Sequence, residues 1–590
     1  MPPVKYKVAG GEFLVRDLPL DVVFTPEERT EEHKMIGDTA RQYITREIHP
    51  NRKRIESGDY AFVASKMKEA GELGLLAHSI PERFGGLGLD KMSKGIVGEA
   101  LGSGGGYSVA HSNHTCIATL PITYFGSEEQ KRNYLPKLAS GEYIGAYCLT
   151  EPEAGSDALA AKTTAVMNEE KSHYLLNGTK IYITNASFSD TFIVYAKVDG
   201  KDFTAFIVEK DFPGLSIGPE EEKMGIKGSS TCSVVMEDCE VPVENVLGEI
   251  GKGHLIALNV LNLGRFNLGF AALGAAKQAL QLAVQHTSER KQFGRAISAF
   301  PATKEKLARM AGDIFASESL LYRTAGHIES ALGYLDEAAE PSETARAMNE
   351  HKMEAAICKV AGSETLDAVV DEALQLHGGA GFIKEYPIEQ MYRDARINRI
   401  FEGTNEINRL LIAGSFLKSA EKERTSFQSI LEQAEYSLKN RGYMRSTGEL
   451  GDAEEAVALY RDLFLVTAGS AVRKYGKSLS ENQEIMMALA DLAMELYRTQ
   501  SVVWRVKKSL QRQHKDASWQ KKLVYMIVED ANLRIQSSVI FLLSDLLEGE
   551  ERVHTLRNVS GLLSVYHWPD SIQRNREIAE ALLEFRQYPN

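Results

Sequence analysis

The chain has 590 residues, too many for one ordinary hydrophobic core, and the usual size of domains leads to an expectation of roughly three to four units. Its composition, 43% hydrophobic and 25% charged, is that of a soluble globular protein, with no uninterrupted apolar run long enough to span a bilayer. A net charge of −13 opposes phosphate-rich partners, which excludes general nucleic-acid binding and makes any anionic ligand depend on locally placed donors.

Residues 1–24 read as an N-terminal extension. The opening Met-Pro-Pro-Val-Lys-Tyr-Lys has neither the apolar core of a secretory leader nor the Arg- and Ser-rich helix of a transit peptide, so a cytoplasmic location is expected. Residues 25–145 form a first helical domain: Pro26-Glu-Glu-Arg suits a first turn, and Phe62, Met67, Ala70, Leu73 and Leu75 suggest one apolar stripe. Residues 146–252 shorten the period to that of strands, as in Lys180-Ile-Tyr-Ile-Thr184 and Phe203-Thr-Ala-Phe-Ile-Val208. Asn177-Gly178 and Asp199-Gly200 signal tight hairpin turns, which predicts an antiparallel sheet or small barrel.

Residues 253–418 return to helical periodicity and predict a bundle of three or four helices ending near Phe416. A polar segment, Ser419 to Arg424, then leads into an all-helical unit over 419–590, where Ser480-Glu-Asn-Gln483 reads as a capping box before Ile485, Leu489, Leu492 and Leu496. The fold class expected is mainly α with a central antiparallel β-domain. A contiguous middle sheet between helical domains argues against a Rossmann fold. Five cysteines without a C-x-x-C pair argue against disulfides and zinc, and no metal site is expected.

Two segments carry chemistry. Ala146-Tyr-Cys-Leu-Thr-Glu-Pro-Glu-Ala-Gly-Ser-Asp157 is a polar loop, exposed by Pro152 and Gly155, that can grip a planar heteroaromatic ring. Phe401-Glu-Gly-Thr-Asn-Glu406 places one carboxylate, Glu402, beside small residues, as a base next to a cofactor requires. Taken alone, a Glu before a Gly is a helix-end or turn residue.

With Tyr182-Ile-Thr184, Lys223-Met-Gly-Ile-Lys-Gly, Glu289-Arg-Lys-Gln-Phe-Gly294 and Met391-Tyr-Arg-Asp-Ala-Arg396 in this order, the chain resembles the acyl-CoA dehydrogenase family over about residues 30 to 418. The extra C-terminal helical domain and Asn262-Leu-Gly-Arg265 are most like its very-long-chain branch. The resemblance implies an FAD enzyme that converts acyl-CoA to trans-2-enoyl-CoA in fatty-acid β-oxidation, with Glu402 taking the α-proton and flavin N5 the β-hydride. It also implies that Tyr147, Leu149, Thr150, Gly155, Ser156, Tyr182, Thr184, Thr404 and Glu406 line the cofactor site, and that Ser156, Arg265 and Gly403 contact substrate. Arg290, Gln292 and Phe293 match an FAD-contact segment, and Gln375, Gly378 and Gly379 match a loop reaching the pyrophosphate across a subunit interface, so a homodimer follows. An electron-transfer flavoprotein is the implied re-oxidant.

Tyr182 stands where the family commonly has Trp, and Pro301 and Lys304 also depart from its pattern. Gly264 occupies the position where some relatives keep the base, so no rival carboxylate stands there. Two alternatives share the fold: an acyl-CoA oxidase passing electrons to oxygen, and a non-catalytic assembly protein. In the last domain, Val502-Val-Trp-Arg-Val-Lys-Lys-Ser-Leu-Gln-Arg-Gln-His-Lys515 mixes basic and apolar residues, as a peripheral membrane contact or a helix covering the bundle would.

Overall fold

A computed structural model describes residues 7–333, 335, 339–441, 448–586 and 588–589; most of the N-terminal stretch read for a leader, residues 1–6, lies outside them. The first helices start where short side chains can cap them. Thr30 accepts the N–H of His33 at the head of Glu31–Tyr43, and Asp90 accepts that of Ser93 at the head of Lys91–Leu101.

The middle sheet has eight strands: β1 (Gly145–Cys148), β2 (Thr164–Met167), β3 (His173–Thr184), β4 (Thr191–Val198), β5 (Asp202–Glu209), β6 (Leu215–Glu220), β7 (Thr231–Pro242) and β8 (Val246–Leu247). Their order is β6-β7-β3-β2-β4-β5-β8, with β1 also paired to β4. The sheet is mixed, which corrects the antiparallel expectation: β1 runs parallel to the first half of β4 and β2 to its end, because a loop rather than a hairpin joins β1 to β2. Asp199-Gly200 does form the tight β4–β5 turn, with φ of +50° and +72°. Asn177-Gly178 does not turn the chain. It lies inside β3 as a bulge opposite β7, where a Cβ on Gly178 would stand 2.4 Å from Thr163 Oγ1.

Four long helices follow: Gly253–Glu289, Pro301–Leu332, Lys352–His377 and Asn405–Lys422. The first is mostly apolar and is the one described helix with the length and composition of a membrane span, yet its neighbours bury most of that stretch inside the molecule. The polar Ser419–Arg424 segment is no open linker, since Asn405–Lys422 is followed almost at once by Arg424–Asn440. Likewise Ser480 caps nothing: the next long helix, Gln483–Gln511, begins after Asn482 without a side-chain cap.

The first half of the 502–515 segment packs inside the molecule, while Gln511, Arg512, Gln513 and Lys515 are exposed. Val502, Val503, Trp504 and Val506 are buried, Trp504 Nε1 donates to Leu18 O at 3.1 Å, and Lys508 Nζ donates to Val23 O at 2.6 Å and Glu28 Oε2 at 2.6 Å. Arg505 lies 2.8 Å from Glu27 and 2.7 Å from Glu318. Arg505, Lys508 and Arg512 thus pair with acids of the N-terminal segment and the bundle, and Lys507 pairs with Glu454. All five cysteines are buried and free, and no metal-binding cluster occurs among the described residues.

Candidate active site

Glu402 sits in the link between the short helical turn Arg396–Arg399 and the helix Asn405–Lys422, whose N-cap Thr404 accepts the N–H of Ile407 at 3.2 Å. Both Glu402 (φ +57°) and Gly403 (φ +78°) are left-handed, a costly backbone for the non-glycine residue and one that clusters at functional sites. The turn presses the carboxylate against the helix Gly253–Glu289. A Cβ at Gly264 would lie 2.9 Å from Glu402 Oε2, so glycine is what lets the two elements touch.

Glu402 keeps partial exposure as a residue, but its Oε2 is closed off and has no hydrogen-bond partner. Burial pushes its pKa up to about 7, against the pull of Arg265 and Lys359. Arg265 donates Nη1 to Asn262 Oδ1 at 2.8 Å and Nε toward Glu402 O at 3.4 Å, so it grips the backbone of the base and leaves the carboxylate unpaired.

A cavity of about 290 Å³ is lined by Glu402 and Phe401 and by the central helix from Gly264 past Leu268, Ala271 and Ala275 to Leu282. Gly264 to Leu282 covers about 27 Å at about 1.5 Å per residue. A lipid tail occupies half of a roughly 30 Å hydrocarbon core, about 15 Å, so the corridor has length to spare for one. Its other wall includes His49, Arg52, Gln390 and Asp394.

Of the candidate cofactor residues on the sheet and the loop after β1, one reaches the cavity. Thr184 lines the cavity. Tyr147 is buried on β1 with its ring 5.3 Å from Tyr195 and its hydroxyl unpartnered. Leu149 is buried, and Thr150 O accepts the N–H of Ile181 at 3.0 Å. Tyr182, at φ +59° in a β-bulge, turns its ring outward and is 64% exposed. Gly155 and Ser156 are exposed on the loop after β1.

Arg290, Gln292, Phe293, Gln375, Gly378 and Gly379 do not line the cavity. They are exposed elsewhere, although His286 and His377 stack at 4.3 Å and bring the two segments together. Phe293 is 94% exposed, and nothing lies within 4 Å of a Cβ added to Gly155, Gly378 or Gly379. An exposed aromatic face, open glycine backbone and a nearby guanidinium fit a planar ring carrying a pyrophosphate. Glu406 is exposed in the first turn of its helix, and its pKa is lowered by its own backbone N–H and by Thr404. Gly403 contributes its carbonyl to neighbouring side chains and not to the cavity.

Sequence reasoning missed Lys359 and Asn408, which hold that carbonyl, and the buried pair Lys180–Glu151 at 2.7 Å beside the loop after β1. A lone lysine within Ala355-Ala-Ile-Cys-Lys-Val-Ala361 was the available signal.

An unpaired carboxylate of raised pKa beside a cavity that follows the central helix is the arrangement of an enzyme using a general base. Family models for the acyl-CoA dehydrogenase N-terminal, middle and C-terminal domains match residues 30–142, 146–239 and 251–417, and a further acyl-CoA dehydrogenase C-terminal domain model matches 460–559. A probable acyl-CoA dehydrogenase of Bacillus subtilis is 44% identical over 98% of both chains. The human mitochondrial very long-chain specific acyl-CoA dehydrogenase is 36% identical over 81% of this chain and 75% of its own. The crystal structure of a Bacillus anthracis acyl-CoA dehydrogenase complexed with FAD superposes with a TM-score of 0.96 at 44% identity, covering 99% of this chain and 100% of that one. The chain belongs to the acyl-CoA dehydrogenase family.

Proposed function

We propose that this chain is an FAD-dependent dehydrogenase that oxidises the Cα–Cβ bond of long-chain acyl-CoA to trans-2-enoyl-CoA, with Glu402 as the base. The observation that carries the reading is an unpartnered, desolvated carboxylate beside a cavity lined along the central helix from Gly264 to Leu282. A base with a pKa near 7 is matched to neutral pH, and the missing side chain at Gly264 lets the carboxylate reach the passing thioester. The Glu402 backbone N–H is the chain's own donor for the thioester oxygen as negative charge develops there.

Tyr182, Thr184, Ser156 and the 147–150 stretch would hold the ring end of FAD, and Arg290 with the Gln375–Gly379 loop of a second copy its pyrophosphate. Bound FAD supplies the acceptor for the β-hydrogen, as hydride. The open face at Phe293 and the Gln375–Gly379 loop supports a homodimer that completes the site. Electron-transfer flavoprotein is the proposed re-oxidant and the cytoplasm the proposed location.

Anaerobic titration with acyl-CoAs from butyryl to stearoyl tests the reading by bleaching of flavin absorbance. Maximal kcat/KM with butyryl-CoA would overturn the chain-length assignment. Peroxide release without an added acceptor would favour the oxidase, and absence of bleaching by any acyl-CoA the assembly protein.

A further inference from the structure

The geometry points to Lys359 as the positioning residue of the catalytic turn: its buried ammonium fixes the peptide after the base and so aims the carboxylate and the backbone N–H of Glu402 into the cavity. This rests on Glu402 being the base.

Lys359 lies on the helix Lys352–His377, fully buried, and donates to Gly403 O at 2.8 Å and to Asn405 Oδ1 at 2.7 Å. Both acceptors are neutral. Burying an ammonium costs several kcal/mol unless its partners compensate, and an acid would compensate better than a carbonyl and an amide. The position is therefore poorly explained by stability alone. What it secures is a backbone that would not hold itself, since two consecutive left-handed residues persist only where their surroundings over-determine them.

Three side chains do this together. Arg265 Nε and Asn408 Nδ2 each approach Glu402 O at 3.4 Å, and Asn408 Nδ2 also reaches Gly403 O at 2.8 Å and Thr404 O at 3.0 Å. Lys359 closes the grip from the opposite helix with the one full charge on Gly403 O. The grip is braced from outside. Asn405 Nδ2 donates to Glu364 Oε1 at 3.0 Å, Glu364 pairs with Arg409 at 2.8 Å, and Arg409 pairs with Asp491 of the helix Gln483–Gln511 at 2.7 Å. The C-terminal unit thereby reaches the catalytic turn through five polar contacts in series, the last two made by Lys359.

The same ammonium also sets the charge of the site. The charged groups facing it are Glu402, Arg265, Glu406 and Glu364, and burial brings its own pKa down to about 8. Facing Glu402 are Arg265 and Lys359, with Tyr147 and Cys116 adjacent. Loss of the Lys359 charge removes one of the two cations that oppose burial, so Glu402 must titrate higher. A lysine that only stabilised the fold would leave that titration where it is in the folded fraction.

The test uses holoprotein of wild type, Lys359→Met, Lys359→Gln and Lys359→Arg, with palmitoyl-CoA and a dye acceptor. Flavin content is read by absorbance, and kcat and KM are followed between about pH 6 and 9. In Lys359→Met, kcat at pH 7 should fall about 100-fold, as for a displacement of about 1 Å, with flavin retained and KM within about threefold of wild type. The acid limb of its kcat/KM profile should move up by about one pH unit. Lys359→Gln keeps a donor without the charge, so it should recover part of kcat and keep the raised limb. Lys359→Arg should restore the limb. Should Lys359→Met fail to fold, Lys359→Gln decides alone. Wild-type kcat and acid limb in the folded neutral variants would overturn the proposal while leaving Glu402 as base, whereas no bleaching of wild type by palmitoyl-CoA overturns the parent reading and this one with it.

Discussion

Glu402 and Glu318 both carry carboxylate oxygens shut away from water, and the molecule treats them in opposite ways. Glu318, on the helix Pro301–Leu332, is ringed by Lys277 at 2.5 Å, Arg505 at 2.7 Å and the Tyr588 hydroxyl at 3.0 Å. Burial pushes its pKa up, but Lys277 and Arg505 outweigh this and hold the carboxyl well below its ordinary range. At Glu402 the nearby cations spend their hydrogen bonds on carbonyls and an amide, and the carboxylate keeps an unmatched oxygen. A paired acid makes structure, and one whose carboxylate is desolvated but unpaired makes a base.

The sharpest way to break this contrast is to neutralise each acid. Glu402→Gln should retain flavin and lower kcat by at least about 10³-fold, read as acyl-CoA-dependent bleaching. For the wild type, kcat/KM should rise with pH through about 7, because only the ionised carboxylate accepts a proton. Glu318→Gln should leave turnover per folded molecule intact yet cost about 3–5 kcal/mol in urea unfolding, because Lys277 and Arg505 would remain buried without their shared anion.

A smaller effect is expected from Gly264→Ala. Its methyl would meet Glu402 Oε2 at 2.9 Å and Ile117 Cγ2 at 3.1 Å, so kcat/KM should drop about tenfold with little change in thermal midpoint. Smallest is the effect of Glu402→Gln on stability. A carboxyl whose folded pKa is raised destabilises the fold as pH climbs from about 4.5 to about 7, because the native state then binds the proton more tightly than the unfolded chain. The variant should therefore unfold a few degrees higher than wild type near pH 8, with the gain vanishing near pH 4, as differential scanning calorimetry can follow.

What was legible in the sequence follows from the range of the interactions involved. The helical and strand segments, the Asp199-Gly200 turn and the Phe401–Glu406 motif are local patterns, readable from period and turn chemistry. Asn177-Gly178 misleads because an asparagine–glycine pair suits a bulge as well as a turn, and contact with Thr163 decides between them. The charge state of Glu402 depends on Arg265 and Lys359, which lie far away along the chain. The basic segment at 502–515 reads as a surface because its partners, Leu18 to Glu28, stand almost the whole chain away.

That separation bears on how the polypeptide matures. Trp504 and Leu18 are 486 residues apart, so at roughly 5–20 residues per second the ribosome needs about 25–100 s after making one to supply the other. Throughout that interval Val23, Glu27 and Glu28 lack their partners on the helix Gln483–Gln511, and the N-terminal segment can close onto it only when the chain has been made past Lys508. Its closure is therefore a late event in biosynthesis, and early termination anywhere before Trp504 leaves it open.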